Sequence, residues 1–152
     1  MGALQPHLHD GVAAPASLKA PEQGPPRVEL AIAGIPAPKG SRIPGRRKDG
    51  TIFTRPASKR EHPWVEQVAY AARANRPAGG TLEPPYVVAL DFRLPEPKRP
   101  TYAYPALPDV DKLARACLDG LVVGELLVDD RHVVELRCSK RFGVPGVAVS
   151  VF

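Results

Sequence analysis

The chain reads as an α+β domain, a small mixed β-sheet carrying two main helices in the order β-α-β-α-β-β. Apolar residues recur at three- and four-residue steps in two stretches, which is helix period. Four other stretches are strand-like, most of them alternating apolar and polar residues. The nineteen prolines and thirteen glycines gather between these stretches rather than inside them. At 152 residues there is room for one domain with a modest core.

In chain order, residues 1–26 hold five prolines and little apolar periodicity, and are expected to be a disordered leader. His7 and His9 on that tail carry no metal reading. Residues 27–33 alternate Val28, Leu30 and Ile32 with Arg27, Glu29 and Ala31, and predict the first strand. Residues 36–60 follow, dense in turn formers, and are expected to be a loop. Residues 63–75 predict the first helix, with Pro63 at its first position and Trp64, Val65, Val68, Ala69 and Ala72 as the apolar face. Trp64 is expected to anchor the core, and His62 to sit at the helix entrance without a catalytic role. A Pro/Gly linker leads to YVVALDFRL, 86–94, a central strand in which Asp91 reads as a solvent-face residue. A proline-rich loop with Tyr102 and Tyr104 packed along it then delivers Asp109.

The second helix is predicted from Val110, Leu113, Ala114, Cys117, Leu118 and Leu121, with Asp111 as its N-cap and Gly120 or Gly124 as its stop. Asp111, Arg115 and Asp119 then form a polar stripe opposite the apolar one. A short strand is expected near GELLV. Val134, Leu136 and Cys138 alternate as the inward face of the next strand, and Val147, Val149 and Val151 as that of the last.

Charge is unevenly placed. Residues 36–60 carry Lys39, Arg42, Arg46, Arg47, Lys48, Arg55, Lys59 and Arg60 against Asp49 alone, a surplus of +7 that leaves −2 on the rest of this +5 chain. Such a segment is either a solvated, flexible face or one that draws in a polyanion by releasing its condensed counterions, and on the second reading these eight residues, with Lys112 beside the acids, are the candidates for binding a polyanion such as DNA. Phe53 reads as packing rather than as a base-stacking platform. No apolar run reaches the length of a membrane span, and no secretory signal pattern opens the chain. Cys117 and Cys138 fall on apolar faces as free thiols, which fits a reducing cytoplasm.

The chemistry centres on residues 108–134. Asp109 and Asp111 stand at a helix start, and a second pair, Asp129 and Asp130, stands ahead of a strand. A strand returning beside the helix start would bring Asp129 or Asp130 to Asp109 and Asp111. Carboxylates gathered that closely repel unless they share a hard cation such as Mg²⁺.

PDVDKLARACLDGL followed by VDDRHVVELRCSKR resembles the signature of the RusA family of Holliday-junction resolvases, small Mg²⁺-dependent endonucleases of bacteria and their phages. In that family a D-[LIV]-D-N-L-x-K helix start and a later D-D-x-Q-[VI] segment supply the active site. The resemblance spans most of 28–152 and is closest over 108–141. It implies that Asp109, Asp111 and Asp130 bind Mg²⁺, with Mn²⁺ able to substitute, and that Asp129 is a companion acid. It also places Arg115 where the family has its functional lysine. The family's asparagine is Lys112 here, and its glutamine is His132. Arginine keeps the positive charge but does not give up a proton, and its fork is bulkier. The implied protein is a RusA-like homodimer that resolves four-way DNA junctions by paired phosphodiester hydrolysis.

Three rivals stand beside this reading. A catalytically weakened junction-binding relative would bind and not cut. A D-x-D nucleotide-sugar transferase using Mn²⁺ is disfavoured by the short chain and by the lack of a nucleotide-binding glycine pattern before the acids. A structural module whose acids only cap a helix leaves the basic segment and the second acid pair without an account.

Overall fold

The computed structural model describes residues 24–40, 42–56 and 58–152. The expected leader, with His7 and His9, falls over residues 1–23 outside the described residues. Two helices cover one face of a four-stranded sheet, and a separate two-stranded hairpin carries most of the basic segment.

The sheet is built from β1 (Val28–Ala33), β4 (Tyr86–Leu94), β5 (Val133–Phe142) and β6 (Gly146–Val151), in the spatial order β1-β6-β4-β5. β6 runs antiparallel to both β1 and β4, while β4 and β5 are parallel. The period-2 pattern holds in the interior. Val28, Leu30 and Ile32 of β1, Val88, Leu90 and Phe92 of β4, and Val147, Val149 and Val151 of β6 are all buried in one cluster with the helices. The opposite face stays open to solvent. On it Asp91 accepts from Ser139 Oγ at 2.9 Å and pairs with Arg141, the cross-strand contacts of a solvent-face residue.

The basic segment is not a loop. β2 (Arg42–Arg46) and β3 (Ile52–Pro56) pair antiparallel as a hairpin. Its turn is closed by Arg47 N–H to Thr51 O at 2.9 Å and by Asp49, whose carboxylate accepts from the Thr51 amide at 2.9 Å. That amide holds the Asp49 carboxyl below the usual carboxylate range. Gly50 sits at φ +87°, where a side chain would be strained. Phe53 lies over Gly45 and under the Arg47 guanidinium, 5.6 Å from its ring centre, so it is packed as expected. The strands were not read because neither RIPGR nor IFTRP alternates apolar with polar residues, and none of their described side chains is buried.

α1 (Glu61–Ala74) starts two residues before the expected position, so Pro63 is the third helical residue. Trp64, Val68, Ala69 and Ala72 are its buried side, and Trp64 anchors the core. α2 (Val110–Val123) ends on Gly124, the second of the two expected stops. Gly120 is an interior residue: a Cβ there would lie 2.5 Å from the Val68 side chain, so its absence lets the two helices close on each other. The short strand expected near GELLV is a turn, although Leu126 and Leu127 are buried in the core.

β5 departs from expectation in its facing. Leu136 and Cys138 lie opposite buried Val88 and Leu90, on the helix-covered side, while Val134 falls at a register shift. Yet β5 is an edge strand, and Val134 and Leu136 are 69% and 42% exposed. Alternation alone carried no information on how far the helices reach over that edge.

Candidate active site

The parallel pair β4 and β5 is joined through α2, a β-α-β crossover in which the helix runs back against both strands. The N-terminus of α2 therefore lies at the C-terminal end of the strands, and its C-terminus at their beginning. This topology decides where the two acid pairs go.

At the N-terminus, Asp109 and not Asp111 occupies the N-cap position, with extended backbone at φ −61° and ψ 136° and its carbonyl accepting from Leu113 N–H at 3.1 Å. Its side chain makes no capping bond and pairs instead with Lys112 Nζ at 3.1 Å, half exposed. Asp111 is exposed in the first turn. Both carboxylates sit at the positive end of the helix dipole, which offsets part of their mutual repulsion. Lys140 of β5 fixes the approach to this corner. Its ammonium donates to Ala106 O at 2.9 Å and to Pro108 O at 2.7 Å.

At the other end, Asp129 accepts from Arg131 N–H at 2.9 Å and caps a 3-10 turn over Asp130–His132. That backbone bond lowers the Asp129 carboxyl below its ordinary range. Asp130 is exposed beside it. Both line a cleft of about 380 Å³ with Glu61 and His62 of α1 and with Asp119, Val122 and Val123 of α2.

The expected meeting of Asp109, Asp111 and Asp130 within one chain does not occur. Asp111 and Val123 are separated by about 18 Å of helix at roughly 1.5 Å per residue, and Asp130 shares its cleft with Val123. Among the described residues, no three Asp, Glu, His or Cys side chains gather closely enough to hold a metal ion. The donor set of a single chain therefore does not fit the Mg²⁺ site that the aspartates were expected to form.

The polar stripe of α2 is as expected: Asp111 and Arg115 are exposed, and Asp119 is partly so. Arg115 makes no ion pair among the described residues. Asp119 pairs with Lys39 Nζ at 2.5 Å, and Lys39 N–H donates to Lys112 O at 2.9 Å. Lys39 thus ties the segment after β1 onto α2, while Glu61 accepts from Gly40 N–H at 2.9 Å. Arg42, Arg46, Arg47, Lys48, Arg55, Lys59 and Arg60 are exposed along the hairpin and the turn before α1. Sequence reasoning had Asp119 only as part of the stripe and missed Glu61. Nothing in the chain order signals that the start of α1 faces the end of α2.

A family model described as Endodeoxyribonuclease RusA matches residues 35–152. The chain belongs to the RusA family. The match takes in the hairpin, both helices and both acid pairs, and begins just after β1. RusA proteins are endodeoxyribonucleases that act on DNA junctions, and the mixed sheet with two helices is consistent with a RusA-like fold. No curated protein matches the chain. No helix among the described residues is long and apolar enough to cross a membrane. In this RusA-family chain the motif aspartates Asp109 and Asp111 share one exposed corner, and Asp129 and Asp130 share another.

Proposed function

We propose that this chain is a structure-selective, Mg²⁺-dependent endodeoxyribonuclease that resolves four-way DNA junctions in recombination and repair, working as a homodimer in the cytoplasm of a bacterial or phage-infected cell. The observation that carries this reading is the exposed Asp109–Asp111 corner at the start of α2 in a chain whose family cuts DNA. The strongly basic hairpin supports it, since a centre rich in carboxylates repels phosphate unless cationic side chains elsewhere hold the backbone.

In the reaction, the oxygen of a water bonds to phosphorus, one bridging P–O bond breaks, and the departing oxygen takes up a proton. Asp109 and Asp111 would be the residues to hold a divalent ion, which would supply Lewis acidity and a more acidic water. Arg115, exposed on the same helix side as Asp111, is assigned to offset charge on the phosphoryl oxygens. A four-way junction has near two-fold symmetry, and a C2 dimer matches it with two centres.

The test is incubation with a synthetic four-way junction, with and without Mg²⁺, beside linear duplex of matched sequence. Paired nicks on the junction alone, lost in Asp111→Asn with affinity kept or raised, support the reading. Wild-type cutting by Asp111→Asn would overturn the site assignment. A second reading, a junction binder with weakened catalysis, is favoured by one contact: Lys112 already neutralises Asp109 at 3.1 Å. Binding without nicking by the wild-type protein would select it.

A further inference from the structure

An apolar groove of about 570 Å³ opens directly beside the Asp109–Asp111 corner, and the chemistry above makes no use of it. Ile35 lines it from the segment after β1, Phe142 from the end of β5, and Tyr102, Tyr104 and Leu107 from the proline-rich loop. These side chains are poorly covered: Leu107 is 78% exposed, and Tyr102 and Tyr104 are 52% and 58% exposed. The volume lies in the range of small-ligand sites.

We propose that this groove captures an unstacked nucleobase of the DNA strand whose phosphate lies at Asp109 and Asp111, adding it to the Tyr102–Tyr104 stack. This rests on the nuclease reading given above and names the part of the junction that its site selects.

Three observations point to a base. The tyrosine rings already lie 5.3 Å apart and within 19° of parallel, so each covers one face of the other. A third flat ring extends that stack, and every base has the π-face to do so. The groove is also free of carboxylates. Arg60 is the one charged residue on its wall among the described residues, and its exposed guanidinium is available to the phosphate of the nucleotide that enters. The cleft at the other end of α2, lined by Glu61, Asp119, Asp129 and Asp130, has the opposite charge and repels a nucleotide. Finally, Pro108 and Leu107 stand one and two residues before Asp109, at most about 8 Å along the chain. A strand placed on the carboxylates therefore has its neighbouring base at the groove mouth.

The groove is formed before DNA arrives. Lys140 holds the Ala106 and Pro108 carbonyls at 2.9 and 2.7 Å, and buried Leu94 closes the floor. Stacking on a ready-made pair of rings spends little on ordering the loop. The cost lies in the DNA, and it is lowest for a base already short of stacking partners. Bases at a branch point meet that condition and bases inside a continuous duplex do not, so the groove favours junctions over duplex.

The experiment measures binding of the full-length chain to a fluorescently labelled four-way junction by anisotropy, without Mg²⁺ so that nothing is cut. The double variant Tyr102→Leu, Tyr104→Leu removes the rings, and Tyr102→Phe, Tyr104→Phe keeps them. A parallel series of junctions carries one abasic site at a time through the nucleotides around the branch point. The Leu variant is expected to bind the intact junction about tenfold more weakly than wild type, and the Phe variant within about twofold of it. One abasic position is expected to weaken wild type by a similar factor and to leave the Leu variant unchanged, because the same contact is removed from either side. Circular dichroism and the unfolding midpoint confirm that each variant is folded, and the abasic series on wild type needs no variant.

A folded Leu variant that binds as tightly as wild type overturns the groove as a base site, and leaves it as a surface for a protein partner. Losses from the Leu variant and the abasic sites that add at every position, or a Phe variant as weak as the Leu variant, overturn stacking as well. Any of these results beside normal Mg²⁺-dependent nicking leaves the nuclease reading intact. Coupling at one abasic position in a protein that never nicks supports the groove and overturns the nuclease reading. A wild-type chain with no affinity for the junction overturns both.

Discussion

Lys140 donates its ammonium to the carbonyl oxygen of Pro108 at 2.7 Å, so a strand at the sheet edge holds the residue immediately ahead of Asp109. A second bond to Ala106 O at 2.9 Å makes the lysine a two-point clasp on the end of the proline-rich loop. In that loop Tyr102 and Tyr104 stack on each other at 5.3 Å and both stay exposed.

Lys140→Met keeps the aliphatic stem and removes both bonds. Hydrogen bonds from a charged donor contribute about 1.5–3 kcal/mol when shielded, and partial exposure here brings the expected loss to about 1–2 kcal/mol. Urea unfolding should register that loss. Nicking should slow because Asp109 is less well held, with junction affinity little changed. An unaltered unfolding midpoint would show that the clasp contributes nothing.

The basic residues should separate into two groups by salt dependence. Arg46 and Lys48 are exposed on the hairpin, so each change to Ala should lower the slope of log affinity against log salt by about one. Lys39 is engaged with Asp119 at 2.5 Å. Lys39→Ala should leave the slope nearly unchanged and cost up to about 1 kcal/mol of stability. Equal slopes for Lys39→Ala and Arg46→Ala would contradict this division.

Gly120→Ala should be destabilising although alanine is the better helix former. The added Cβ would lie 2.5 Å from Val68 and 3.0 Å from Val65 O. Overpacking of this kind costs about 1–3 kcal/mol, against a helix-propensity gain of about 1 kcal/mol. Gly79→Ala, where a Cβ meets nothing within 4 Å, is the control and should be close to neutral. Thermal denaturation of the two variants checks the contrast.

Burial pushes the Cys117 thiol up to about 12, with nearby Cys138 adding to the shift. A raised folded-state value favours the neutral thiol, so its contribution is complete below the ordinary thiol value of about 9 and is lost as pH rises from there towards 12. Stability of the wild-type chain should therefore fall over that window more steeply than stability of Cys117→Ala. Native Cys117 should also resist thiol reagents at pH 8 until the chain unfolds. Prompt labelling of both cysteines in the folded protein would show that the site is open.

Much of this was legible in the chain itself. Helix period over Val110–Leu121 and strand pattern at 86–94 and 146–152 decide their elements locally, because a one-faced helix or strand has only one way to hide its apolar residues. The spacing of Asp109, Asp111, Asp129 and Asp130, with their flanking residues, carried the family. The β2–β3 hairpin was not legible, since it hides no apolar face and is held by backbone pairing and a turn. Nor was the exposure of Val134 and Leu136, which depends on how far α2 extends over an edge strand. Above all, sequence determined which acids are present, and only the tertiary structure decided how far apart they stand. A helix inserted between two parallel strands must send its ends to opposite rims of the sheet, and no spacing along the chain reveals that distance.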